Sequence, residues 1–339
     1  RVLWITDVAK KLHENKEELA RIITLEVGKP IKFSRIEVDR CIETLKITAS
    51  LVLEVGGKTI ATDAMSSGRV SNAFYKRVPS GVIVAITPFN FPLNLVAHKL
   101  APALVTGNCV VLKPTPEAPC TSYMLAKLFI ESEFAVRNAL SLVYGDADVG
   151  SALVSSDIPR VISFTGSATV GRIITQTAGI KKISLELGGN AATFVDKTAD
   201  ISSAAKKCAV GAFVNSGQVC ISLQRIYVHD DIYGAFCDAL KAEVATLKLG
   251  NPMDEEVFMG PLINEDSAVR AKKWVESAKE EGASVLIGGN HNGRYFEPTV
   301  LVNVTDDMRI VCEEVFAPIV SIIRVKDFDE AAKKINNSN

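Results

Sequence analysis

Between residues 81 and 187 the chain alternates short apolar runs with helical stretches, and few folds satisfy that pattern. Gly81-Val-Ile-Val-Ala-Ile86 is apolar at successive positions, as a strand covered on both faces must be. Helical patterning follows over 93–104. The pair then recurs: strand 109–112 and helix 121–129, strand 140–143 and helix 149–154, strand 161–164 and helix 170–177, with a last strand at 183–187. Alternation at this spacing predicts an α/β domain built on a doubly wound parallel sheet. Ligands of such sheets bind beyond the carboxyl ends of the strands. Those ends carry Thr87-Pro-Phe-Asn-Phe-Pro92, Lys113-Pro114 and Gly166-Ser167.

The flanking segments read differently. Residues 3–27 have the apolar stripe of one amphipathic helix, and 31–53 form a second. The polar, weakly periodic stretch 59–77 reads as a surface loop. Beyond Asn190 a second α/β unit is expected, with helices over 204–214, 236–247 and 266–279 and strands near 224–228, 285–287, 299–302 and 319–323. The boundaries predicted are 1–189 and 190–339, the last helix being cut at Asn339. A formal net charge of -1 points to neither nucleic acid nor an acidic membrane surface as partner. No apolar run approaches the ~20 residues of a membrane helix. The seven cysteines show no metal or redox spacing, and their odd number suits free thiols in a reducing, cytoplasmic setting. Four histidines without ligand spacing predict no structural metal.

Chemistry centres on Cys220, at the end of Phe213-Val-Asn-Ser-Gly-Gln-Val-Cys220. A thiolate on a tight turn is a strong nucleophile, although an arbitrary cysteine is more often buried and structural. In Ile183-Ser-Leu-Glu-Leu-Gly-Gly-Asn190 the apolar residues alternate, so Glu186 points to the opposite strand face from Ile183, Leu185 and Leu187. A carboxylate there is a solvated surface group or a general base. Asn90, between rigid Phe-Pro elements, either donates to a substrate oxygen or caps the helix beginning at Leu93. Gly166-Ser-Ala-Thr-Val-Gly171 opens a helix after a strand, where exposed N–H groups favour an anion, but a plain turn uses the same residues.

These motifs together resemble the aldehyde dehydrogenase superfamily. The resemblance runs in order through Thr87-Pro-Phe-Asn-Phe-Pro92, Phe164-Thr-Gly-Ser167, Leu185-Glu-Leu-Gly-Gly189, Gly217-Gln-Val-Cys220 and Glu313-Glu-Val-Phe316, and so covers essentially the whole chain. It implies a Rossmann-like cofactor domain, a catalytic domain carrying the nucleophile, and a chain incomplete at both ends. It implies that Cys220 attacks the aldehyde, that Asn90 and the Cys220 N–H hold the oxyanion, and that Glu186 activates water against the thioester. The cofactor, NADP or NAD, would be held by Thr87, Pro88, Phe89, Lys113, Pro116, Glu117, Gly166, Ser167, Gly171, Leu187, Glu314 and Phe316. Phe89 stands where the family usually has Trp, with no change of chemistry expected. NAD-preferring relatives carry a glutamate three residues after the lysine; here that place holds Pro116, with Glu117 one position out of register. NADP is therefore expected to be accepted at least as well as NAD.

Asn94, Leu95, His98 and Ile221 would face a small aldehyde, hydroxylated or a semialdehyde, such as lactaldehyde or succinate semialdehyde. The segment 61–79 would form a hairpin joining subunits of a homodimer or homotetramer. Three other readings compete. A coenzyme A-acylating relative typically lacks the base that Glu186 offers. A cysteine hydrolase needs a histidine partner, and His13, His98, His229 and His291 sit in no motif for one. A structural protein that kept the fold would not need Cys220, Glu186 and Asn90 together.

Overall fold

The computed structural model describes residues 1–64 and 71–338. It divides into two compact units, Arg1–Ile22 with Arg35–Glu186, and Ile23–Ser34 with Leu187–Asn339. The sequence predicts one boundary, after Gly189, whereas the second unit begins at Leu187 and also takes in Ile23–Ser34. The segment Ile23–Ser34 belongs to the second unit because its backbone is held there. The Ile31 N–H donates to the Pro252 carbonyl at 2.8 Å, and a Cβ on Gly28 would lie 2.6 Å from the Pro261 ring.

The chain opens with α1 (Val2–Glu14), α2 (Lys16–Val27) and α3 (Ile31–Leu51). The single helix expected over 3–27 is two. Asn15 turns the chain: its backbone N–H and its side-chain Nδ2 both donate to the Lys11 carbonyl, and a new helix starts as the Leu19 N–H reaches the Asn15 carbonyl. Within the first unit, Trp4 of α1 is buried and donates from Nε1 to the Phe129 carbonyl at 2.8 Å. Next come β1 (Lys58–Ala61) and β2 (Asn72–Tyr75), an antiparallel pair running from Lys58 opposite Tyr75 to Ala61 opposite Asn72. The segment 61–79 thus includes one strand of a hairpin and the end of the other; its residues 65–70 lie outside the described residues.

The alternation then appears as β3 (Val82–Ile86), α4 (Asn94–Val105), β4 (Cys109–Lys113), α5 (Pro119–Ile130), β5 (Leu140–Leu142), α6 (Ala147–Ser155), β6 (Val161–Thr165), α7 (Ala168–Thr177) and β7 (Lys182–Glu186). All five strands from β3 onward are parallel, in the order β5-β4-β3-β6-β7. Val84, Val110, Leu112 and Ile162 are buried, which is what continuous apolar runs require of a sheet covered on both faces. The strand order reverses at β3, so a crevice forms beside its carboxyl end.

The second unit contains β8 (Ala191–Val195), α8 (Ile201–Phe213), β9 (Leu223–His229), α9 (Tyr233–Ala245), α10 (Glu265–Glu280), β10 (Ser284–Ile287), the short pair β11 (His291–Asn292) and β12 (Tyr295–Phe296), β13 (Thr299–Val302), α11 (Arg309–Cys312), β14 (Ile319–Val325) and α12 (Phe328–Asn336). Its sheet runs β10-β13-β14-β9-β8, with β10 antiparallel to β13 and the other neighbours parallel. Along β9, Ile226 and Val228 pack with Phe213, Phe236 and Leu240, while Tyr227 packs with Trp274, Phe296 and Leu301. This period-two division buries the sheet on both faces. Strand β8 escaped the sequence reading, and α12, expected to be cut at Asn339, ends at Asn336.

Candidate active site

In the first unit the expected ligand residues follow the carboxyl ends of adjacent parallel strands. Thr87, Pro88, Phe89 and Asn90 follow β3, Lys113 closes β4, Gly166 and Ser167 follow β6, and Glu186 closes β7. A cavity of about 310 Å³ lies there, lined by Ile86, Lys113, Pro116, Asp146, Phe164 and Ile173 among others. Its walls are largely apolar side chains from β3, β6, α6 and α7, with one cation and one carboxylate. A flat nucleoside with a polar ribose edge fits such a lining. Burial lowers the Lys113 pKa, while Asp146, Glu117 and Asp148 pull it back up. Pro116 lines the cavity. The Glu117 carboxylate instead takes the hydroxyl of Thr115. Asp146 is a carboxylate facing this space that sequence reasoning missed.

At α7 the Ser167 hydroxyl accepts the Val170 N–H at 3.3 Å, and Gly171, one turn on, is buried. A Cβ on Gly166 would lie 2.5 Å from the Phe164 ring, so the turn into α7 needs glycine there. The hydroxyl of Thr87 is buried and has no hydrogen-bond partner among the described residues.

Asn90 is 4% exposed. The capping role left open for it is filled by another residue: the N–H groups of Leu93 and Asn94 donate to Glu37 Oε1 at 2.9 and 3.1 Å. A buried carboxylate from α3 thus sits at the positive end of α4. Asn94 is itself buried, and its Oδ1 accepts the Thr44 hydroxyl at 3.0 Å. Leu95 is half-buried. His98 Nε2 lies 3.4 Å from the same hydroxyl. Desolvation lowers the His98 pKa, Arg40 and Lys99 lower it further, and Glu186 opposes them.

Lys99, one residue on, is 8% exposed and donates to Ser163 Oγ at 3.0 Å. Burial pushes its pKa down to about 8, against the opposing field of Glu186. A lysine in a helix whose other residues from Leu95 to Val105 are apolar but for His98 was the signal that could have exposed it. Glu186 is exposed, on the strand face opposite Ile183 and Leu185 as the alternation predicts.

In the second unit Cys220 ends a constrained turn. After α8, Asn215, Ser216 and Gly217 take left-handed conformations in succession, with φ of 51°, 55° and 70°. Such backbone persists when its surroundings over-determine it. Ser216 Oγ donates to the Gly260 carbonyl at 2.7 Å, and Gln218 Oε1 accepts the Ile263 N–H at 2.9 Å. A Cβ on Gly217 would lie 2.2 Å from the Ala317 carbonyl oxygen. The residues from Asn215 to Val219 are buried and Cys220 is exposed, against the reading of a buried structural cysteine. Ile221 beside it is 79% exposed. Cys41 and Cys208 are buried, and burial pushes the Cys208 thiol up to about 11.

Leu187 leads into the Gly188-Gly189 turn, whose Gly189 N–H donates to Glu314 Oε1 at 3.1 Å. A Cβ on Gly188 would lie 1.9 Å from Glu314 Oε2, so the carboxylate occupies the space glycine leaves. Burial raises the Glu314 pKa, against the Gly189 N–H and Arg270. Phe316, two residues on, is half-buried with a left-handed φ of 50°.

A doubly wound parallel sheet with a largely apolar cavity at its strand reversal, holding one lysine and one carboxylate, is the arrangement of a nucleotide-binding α/β enzyme, and the chain also presents an exposed thiol on a braced turn. The particular family follows from comparison. The profile of the aldehyde dehydrogenase family matches residues 1–339, and the chain belongs to that family of NAD(P)-dependent aldehyde oxidoreductases. It is similar to 3-sulfolactaldehyde dehydrogenase of Priestia aryabhattai, 44% identical over 332 residues that cover 98% of this chain and 69% of that protein. Lactaldehyde dehydrogenase of Methanococcus aeolicus is 42% identical over 336 residues, covering 98% and 71%. Among solved structures, the NADP-dependent glyceraldehyde-3-phosphate dehydrogenase of Bacillus halodurans, complexed with NADP, superposes with a TM-score of 0.96. It is 36% identical, covering 100% of this chain and 71% of that one.

Proposed function

We propose that this enzyme oxidises a small 2-hydroxyaldehyde or semialdehyde to the acid, with NADP accepted at least as well as NAD. The observation that carries the reading is the Cys220 turn: three left-handed residues held from buried positions, ending in an exposed thiol. In this reading the Cys220 thiolate adds to the aldehyde carbon. The Asn90 amide and the Cys220 N–H donate to the oxyanion that forms, worth ~3 kcal/mol of transition-state stabilisation for a donor of this kind. Bound nicotinamide supplies the hydride acceptor. Loss of hydride from the tetrahedral carbon leaves a thioester on Cys220. Glu186 then takes a proton from water as the water adds to the thioester carbon, and the acid leaves with Cys220 restored as thiolate. Lys113, with Thr87, Pro88, Phe89, Gly166, Ser167 and Gly171, serves the adenosine and phosphate side of the cofactor. Leu187, Glu314 and Phe316 serve the nicotinamide side.

Support for NADP comes from Lys113 and Pro116 in the cavity, together with the diversion of Glu117 to Thr115. Support for the substrate class comes from the relatives, named for 3-sulfolactaldehyde and lactaldehyde. Asn94, Leu95, His98 and Ile221 are the proposed substrate-side residues. The test is a panel of lactaldehyde, succinate semialdehyde and unsubstituted aldehydes, followed by absorbance of the reduced nicotinamide with each cofactor. Preference for simple alkanals would overturn the substrate class. An NAD preference above about tenfold, ~1.4 kcal/mol, would mean that Glu117 or Asp146 guards the ribose. We further propose pairing of subunits through the β1–β2 hairpin, which exposes Ile60 and Phe74. A monomer in sedimentation at micromolar concentration would refute it.

A further inference from the structure

Within the second unit the groups around Glu314 close into a ring of hydrogen bonds. Glu314 Oε1 accepts the Gly189 N–H at 3.1 Å. The Gly189 carbonyl accepts Nε2 of Gln224 at 2.7 Å, and Gln224 Oε1 accepts the N–H of Val315 at 2.5 Å. Val315 adjoins Glu314, so the ring is complete. Gln224 is 4% exposed, on β9 and four residues after Cys220. Gly189 also abuts the nucleophile's own backbone, because a Cβ there would lie 2.8 Å from the Cys220 carbonyl oxygen. On the far side of the loop, Arg270 Nη2 donates to the Val315 carbonyl at 2.8 Å, its guanidinium 5.2 Å from the Trp274 ring centre. Both polar groups of Val315 are thus clamped between Glu314 and Phe316, which accounts for the left-handed Phe316 being held.

We infer that Gln224 is a positioning residue for the cofactor: it fixes Glu314 and Phe316 against the turn that carries Cys220. This rests on the assignment of Glu314 to the nicotinamide side of the cofactor made above. The ring demands one donor and one acceptor from the same side chain, and glutamine supplies both at this reach. An ionised glutamate supplies two acceptors and would face the Gly189 carbonyl with a lone pair. A protonated glutamate restores the donor. Methionine keeps the length and supplies neither bond.

The experiment titrates NADPH fluorescence with wild type, Gln224→Met and Gln224→Glu at several pH values from about 5.5 to 8, with melting temperature as the check on folding. Binding by Gln224→Met should be weaker by about tenfold, a ratio that stays constant with pH. Gln224→Glu should be as weak at the upper pH and approach wild type as its carboxyl protonates. A role confined to packing would not produce that pH-dependent rescue. Wild-type affinity in Gln224→Met, or a Gln224→Glu deficit that ignores pH, overturns the inference alone. A wild type that binds neither NADPH nor NADH overturns the cofactor assignment of Glu314 and this inference with it.

Discussion

Replacing Lys99 by methionine should stabilise the protein near neutral pH and lose that advantage in alkali. The lysine is 8% exposed, and its pKa falls from 10.5 to about 8, chiefly through burial. A native pKa below the unfolded one means that the unfolded chain holds the proton more tightly. Native stability therefore rises with pH between about 8 and 10.5, and the full penalty acts below about 8. A displacement of about 2.5 units corresponds to about 3 kcal/mol at 1.36 kcal/mol per unit. Methionine removes that penalty and also the bond to Ser163 Oγ, which is worth about 1 kcal/mol. The net gain at about pH 7 is then about 2 kcal/mol, shrinking by about 1.4 kcal/mol for each pH unit above 8. Urea unfolding of both proteins at about pH 7 and about pH 9.5 measures the gap, and differencing cancels the other titrating groups. A gap that does not change with pH would mean that Lys99 carries no charge-burial penalty.

Glu186→Gln should give a burst of about one reduced cofactor per site and then slow turnover, since hydrolysis loses its base; an undiminished steady state without a burst would remove Glu186 from that role. Gly188→Ala and Gly217→Ala should part company in a thermal melt combined with cofactor titration. The added Cβ of Gly188→Ala meets the end of the Glu314 side chain, which can swing away, so stability should change by about 1–2 kcal/mol while cofactor affinity falls about tenfold. At Gly217 the Cβ meets the backbone of Ala317 at a left-handed position, so a loss above about 2 kcal/mol is expected. Equal melting temperatures for the two variants would contradict this.

The first sheet was legible because its central strands carry apolar runs, as at Val82–Ile86 and Cys109–Lys113, and recur in alternation with helices. Strand β8 was not, since Ala191-Ala-Thr-Phe-Val195 has weak patterning and takes its conformation from pairing with β9. The break at Asn15 hides inside an unbroken apolar stripe because a side-chain amide, rather than glycine or proline, makes the turn. The candidate site divided in the same way. Cys220, Glu186 and Asn90 were marked by their local motifs. Glu37 and Gln224 were not, because their partners lie 56 and 91 residues away in the chain. Local sequence contains no trace of such pairings.

In the proposed reaction, substrate becomes covalently attached to Cys220. The most direct measurement is acid quenching of Glu186→Gln after one turnover with aldehyde and NADP, followed by peptide mass mapping. An acyl mass is expected on the peptide containing Cys220, absent from the double variant with Cys220→Ala. An acyl group on Cys312 or another cysteine, or full turnover by the double variant, would contradict it.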